Sequence, residues 1–133
     1  MEIAEEVGEE QCFLFGHLAH DVDEVRYQNQ YNPTPVAQRS QACADAIQAV
    51  RSGMFGNGDY NPFLDTITEH GDYWLVSNDF DSYLEAERLC DEMFMKNHSE
   101  WFVKSMLTTA RMGKFSSDRA VAQYAEESEC FGL

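Results

Sequence analysis

Apolar positions recur along most of this chain at spacings of three and four, the period of helices with one covered face. Residues 2–8 read as a short helix closed by Gly8, and Asp21-x-x-Glu24 resembles a capping box opening a helix to about Asn29. Asn32-Pro33-Thr34-Pro35 interrupts the chain, and a second helix is predicted from about Val36 to Ser52, with Cys43, Ala46, Ile47 and Val50 on one face and Gly53 as its stop. Asn61-Pro62 reads as a cap followed by a first-turn proline, opening a helix closed by Gly71. Asp79 or Asp81 is predicted to cap a helix striped by Tyr83, Ala86, Cys90 and Met93. Ser99 should cap the next, which would bury Phe102, Val103, Met106, Leu107 and Ala110 and end at Gly113. Ser116 or Ser117 caps the last, with Asp118 in its first turn, where a carboxylate complements the helix dipole.

Two segments break this period. Cys12-Phe13-Leu14-Phe15, bounded by charge and Gly16, is continuously apolar, as in a strand covered on both faces. Tyr73-Trp74-Leu75-Val76-Ser77 is the second strand candidate. The predicted class is therefore mainly α with one or two short strands. Two strands make a marginal sheet, and unpaired strand backbone is costly. The first strand thus predicts a larger sheet whose other strands lie outside this sequence.

The chain has 133 residues, enough for one domain with a real core. Its net charge of −15 opposes binding to nucleic acid or to anionic membranes, and no apolar run reaches membrane-spanning length. The acidic start Met1–Glu6 does not read as a signal peptide or a mitochondrial presequence, so a cytoplasmic location is expected. Charge is segregated: residues 1–25 hold eight carboxylates and no Lys or Arg, whereas Lys96, Lys104, Arg111, Lys114 and Arg119 form a basic stretch. Independently solvated helix faces are the expected reading of this pattern, with docking of one stretch on the other as the alternative. Cys12, Cys43, Cys90 and Cys130 are widely spaced and read as free thiols, not as a disulfide or zinc framework.

Candidate chemistry is sparse. His17 and His20, with Asp21 beside them, are the nearest approach to a metal pair, but their spacing supplies no third ligand. His70 and His98 lie near helix ends with no nucleophile at a motif spacing. The carboxylate pairs Glu5/Glu6, Glu9/Glu10, Asp79/Asp81 and Glu126/Glu127 are too many to single out a glycosidase pair. Ser116-Ser117-Asp118 lacks a nucleophile elbow and reads as a cap, with Arg111 and Lys114 upstream making a phosphosite the second reading. Trp74 and Trp101 read as core. No catalytic, cofactor-binding or metal residue is assigned, and no complete active site is expected.

Three blocks carry a resemblance. They are Glu2-Ile3-Ala4-Glu5-Glu6-Val7-Gly8 running into Phe13-Leu14-Phe15-Gly16; Gly71-Asp72-Tyr73-Trp74-Leu75-Val76-Ser77-Asn78-Asp79-Phe80-Asp81-Ser82-Tyr83; and Glu100-Trp101 through Ala110-Arg111-Met112-Gly113-Lys114-Phe115-Ser116-Ser117-Asp118-Arg119 to Gln123-Tyr124-Ala125-Glu126-Glu127. In order and separation they resemble the C-terminal end of the glycogen/starch (α-1,4-glucan) phosphorylases. The resemblance implies residues 1–133 as a partial, cofactor-side C-terminal domain: the last strand and closing helices of a Rossmann-like α/β glycosyltransferase domain. The N-terminal domain and the upstream half of this domain would be absent.

It also implies an allosteric, cytoplasmic, homodimeric enzyme of carbohydrate metabolism, which transfers glucosyl units from α-glucan to phosphate and releases glucose 1-phosphate. Pyridoxal phosphate would be held as an imine on a lysine in a Met-Lys-Phe motif. This chain has no such motif, since Met95-Lys96 is followed by Asn97, and its end, Ser128–Leu133, departs from the family's Ile-Trp continuation. The expectation is an inactive fragment. A stand-alone acidic helical interaction module is the alternative, with a small metal-dependent or hydrolytic enzyme third.

Overall fold

A computed structural model describes residues 2–130, with side chains through residue 127. Its helices are α1 (Glu2–Val7), α2 (Val22–Tyr31), α3 (Val36–Arg39), α4 (Gln41–Arg51), α5 (Asn61–Thr68), α6 (Val76–Lys96), α7 (His98–Arg111) and α8 (Ser117–Cys130), with 3-10 turns at Glu9–Gln11 and Met112–Phe115. The chain forms two compact units, Phe15–Arg88 and Met1–Leu14 with Leu89–Leu133.

The described residues contain no strand, which corrects both strand expectations. Cys12 is extended (φ −110°, ψ 149°), but no neighbouring strand is present to take up hydrogen bonds along residues 12–15, and Leu14 and Phe15 stay about half exposed (45% and 53%). The apolar run identifies a segment that needs covering, whereas a strand also needs a second backbone. The 73–77 segment fails as a strand for another reason. Asp72 and Leu75 take positive φ (46° and 57°), folding the chain into a tight turn that enters α6 at Val76.

The core of the 15–88 unit is Val36, Cys43, Ile47, Leu64 and Ile67, with Ala44, Val50 and Phe80 packed around it. It joins α3, α4 and α5 through Cys43, Ile47 and Val50 of the face predicted for α4, with Ala44 packed beside them in place of Ala46, which is exposed. The predicted 36–52 helix is broken once, at Ser40 (φ −152°, ψ 115°), because the Ser40 hydroxyl caps α4 by accepting from the Cys43 N–H at 3.0 Å. The same hydroxyl donates to Asp81 at 2.6 Å. Ser40→Ala removes both bonds and should lower stability by about 1–2 kcal/mol, read as a shift of the urea midpoint at unchanged slope.

In the other unit, the acidic N-terminus docks on the basic stretch. Lys114 pairs with Glu6, the Lys104 ammonium donates to the Glu10 carbonyl, and Arg111 donates to the Val7 carbonyl at 2.5 Å with the Glu10 carboxylate 3.6 Å away. These contacts place Val7 at 0% exposure and push the Lys114 pKa up through its hydrogen bond to Glu6. Of the two readings of the charge segregation, docking is therefore the one realised. Phe13 stacks on Trp101 (6.4 Å between centroids), and Trp101 meets Phe94 edge-on at 5.4 Å.

The predicted covered face of α7 is turned outward. Phe102, Val103 and Met106 are 59%, 49% and 63% exposed, Ala110 is exposed and Leu107 is only partly covered. Asp21 stands at the start of α2 as predicted but makes no side-chain cap bond. Two other caps shift: Asn61 is the first helical residue of α5, and Asn97 in place of Ser99 accepts from the Glu100 N–H at 3.4 Å. Ser116 caps α8 as expected, accepting from the Arg119 N–H at 3.3 Å.

Candidate functional site

The polar centre of the 15–88 unit is built on Asp72, whose side chain is 1% exposed. Gly71-Asp72 follows the end of α5, and the left-handed backbone at Asp72 aims its carboxylate at the first turn of α6. One oxygen accepts from the Val76 N–H at 2.9 Å; the other accepts from the Ser77 N–H at 2.7 Å and the Ser77 hydroxyl at 2.5 Å. Arg39, at the end of α3, places its guanidinium 3.7 Å from that second oxygen. Asn78 links Arg39 to the buried Asn29 of α2, its side-chain oxygen accepting from Asn29 at 2.8 Å and from Arg39 at 3.4 Å. A carboxylate at a helix N-terminus, paired with a largely covered guanidinium, satisfies most of the charge that burial would otherwise penalise.

Asp79 and Asp81 are not caps but tie other segments to α6. Asp79 accepts from the His17 N–H at 3.1 Å and bonds His17 Nδ1 at 2.5 Å, while Ser82 accepts from the Gly16 N–H at 3.1 Å. Gly16 is needed there: its φ is +84°, and a Cβ would lie 2.8 Å from the Asp79 carboxylate. His17 thus serves as a clamp partner. His20 lies separately beside Asp21 at 3.5 Å, and no group of three or more potential metal ligands occurs among the described residues.

The remaining candidates are scattered. His98 is the first residue of α7, edge-on to Phe94 at 5.2 Å. Glu6 and Glu10 hold the N-terminus as described, and Trp74 is 76% exposed, which corrects its reading as core. Cys43 is the one cysteine of the three described that is buried, and desolvation pushes its thiol pKa up, away from nucleophilic use. Cys12 and Cys90 are unpaired and partly covered; Cys130 lies outside the described side chains.

Beside the Asp72 centre lie two open cavities that share Asn29, Thr34 and Arg39 in their walls. One, of about 710 Å³, is bounded by α2 and the 68–73 segment, and includes Arg26, Tyr27, Tyr31, His70 and Tyr73. The other, of about 580 Å³, includes His17, Glu24 and Asn78. Arg39 Nε is buried without a hydrogen-bond partner. Sequence reading missed Asp72 and Arg39; the Gly71-Asp72 pair was a turn signal, overshadowed by the apolar residues after it.

Ser77 and Ser40 hold their hydroxyls against the Asp72 and Asp81 carboxylates, in both cases as ties at the start of a helix. The helices are too short or too polar to cross a membrane among the described residues. Comparison with known proteins agrees with the resemblance read from the three blocks. A family model described as carbohydrate phosphorylase matches residues 1–128. Glycogen phosphorylase of Saccharomyces cerevisiae is 40% identical over 95% of this chain, which spans 14% of that protein's length. The cytosolic α-glucan phosphorylase 2 of Arabidopsis thaliana is 44% identical and the H isozyme of Vicia faba 42%, each over 96% of this chain and 15% of the relative. The chain belongs to the carbohydrate phosphorylase family.

Proposed function

We propose that this chain is the closing, C-terminal scaffold of an α-1,4-glucan phosphorylase, a Rossmann-like α/β domain completed by sequence upstream of the matched segment. The intact enzyme would transfer glucosyl units from α-glucan to phosphate, as a cytoplasmic homodimer. The carrying observation is a match over nearly the whole chain to relatives of which it spans only 14–15%. The uncovered apolar segment at Leu14 and Phe15 and the outward face of α7 support it, because both await packing partners. Unpaired thiols at Cys12, Cys43 and Cys90 agree with a reducing compartment.

Pyridoxal phosphate is the cofactor that this reading assigns to the intact enzyme, and the lysines here do not suit it. Imine formation needs a neutral amine in a sheltered site. Lys96 pairs with Glu92, Lys104 with the Glu10 carbonyl and Lys114 with Glu6; Lys96 and Lys114 are 71% and 48% exposed, and Lys114 is held more firmly protonated than usual. The reacting groups are therefore assigned to residues outside this chain. Its own role is to shape and close the domain through the Asp72 centre and the docked N-terminus.

A segment replacement tests this. The yeast relative carrying this chain in place of its matched segment should retain phosphorolysis of glycogen, while the 133-residue chain alone should release no glucose 1-phosphate above background. Release by the pure chain, or a folded but inactive replacement enzyme, would overturn the assignment.

A further inference from the structure

The cleft between α2 and the 68–73 segment belongs to no part of the scaffold role. We propose that it is a surface binding site for a neutral oligosaccharide, and that the ligand is an α-1,4-linked glucan; only that choice of sugar rests on the family reading. Its volume of about 710 Å³ lies within the span of small-molecule sites, roughly 300–1,000 Å³.

The cleft offers the two kinds of group that a sugar needs. Tyr27 and Tyr31, one helical turn apart on α2, hold their rings 4.6 Å apart at a 40° tilt, and they remain 57% and 61% exposed. Tyrosine presents an apolar ring face to the C–H side of a hexose and a phenolic hydroxyl to its polar edge. Gln30 and Glu69 add acceptors within the same walls. Arg39 and Asn29 complete the polar part of the wall.

Charge balance argues against an anionic ligand. The Arg26 guanidinium sits 3.9 Å over the Tyr73 ring and donates to the Tyr73 carbonyl at 2.9 Å, and the Arg39 guanidinium is engaged by Asp72. Asp23 and Glu69 then place carboxylates in the same walls, so no excess of positive charge remains to draw a phosphate.

Calorimetric titration of the full chain with maltoheptaose, with Trp74 fluorescence as a second signal, provides the test. Saturable binding is expected, and Tyr27→Ala/Tyr31→Ala should weaken it at least about tenfold. The far-UV spectrum and urea midpoint should not change, since both rings are largely exposed. Tyr124→Ala, an exposed tyrosine in the other unit, should leave affinity unaltered. Cellohexaose, with β-linkages, should not compete. No saturation by about 10 mM maltoheptaose, unchanged affinity in the double variant, or equal binding of cellohexaose would each overturn the proposal. The segment-replacement assay stands or falls separately from this titration.

Discussion

Replacing Asp72 with alanine should destabilise the 15–88 unit by about 3–5 kcal/mol, the range for removing one partner from a buried charge pair. Three hydrogen bonds from Val76 and Ser77 lose their acceptor, and the Arg39 guanidinium, 11% exposed, loses its nearest carboxylate. A backbone penalty adds to this, because Asp tolerates the positive φ of 46° better than alanine does. Asp72→Asn separates the contributions: it keeps the local geometry and an acceptor oxygen, so its loss should be roughly half as large. Urea titration of a Trp101→Phe background would read the transition from Trp74 alone, two residues from the substitution. A loss below about 1 kcal/mol for Asp72→Ala would mean that water replaces the carboxylate and that the network is not the organising centre described here.

Leu64→Ala should have a comparable effect by an apolar route. Leu64 is 3% exposed on the face of α5 that meets Val36, Cys43 and Ile47. Truncation leaves a void in a small core with few neighbours able to collapse into it, at a cost of about 3 kcal/mol within a range of roughly 2–5. Leu64→Met, which nearly conserves volume, should cost less than about 1.5 kcal/mol. The same Trp74-monitored titration measures both, and equal losses for alanine and methionine would show that packing volume is not what Leu64 contributes.

What the sequence made legible follows from which interactions are local. The Cys43, Ile47 and Val50 face of α4, the stop at Gly53 and the Ser116 cap depend on residues within a turn or two and are present, although Ala46 of the same predicted face is exposed. Asp72 was missed because its partners are split: Val76 and Ser77 are local, but Arg39 is thirty-three positions upstream and carries no pattern that points to Asp72. For α7 the pattern gave an apolar stripe at Phe102, Val103 and Met106, which says that a face requires cover and not what supplies it. The 12–15 run fails likewise, since a strand is a relation between two backbones. As for the site, His17 is drawn to Asp79, sixty-two positions away, by a contact that no local spacing announces, and the Tyr27/Tyr31 pair lay unmarked within a helix of low apolar content.

The outward stripe of α7 also governs how the chain behaves as a colloid. With Phe102, Val103 and Met106 open to water, attraction between copies is short-ranged, and the opposing force is the mutual repulsion of bodies carrying a net charge of −15. That repulsion reaches about 30 Å at 0.01 M salt but only about 3 Å at 1 M. Dispersal of this chain is thus set by ionic strength more than by its own packing, and dilute buffer is the condition in which single copies persist.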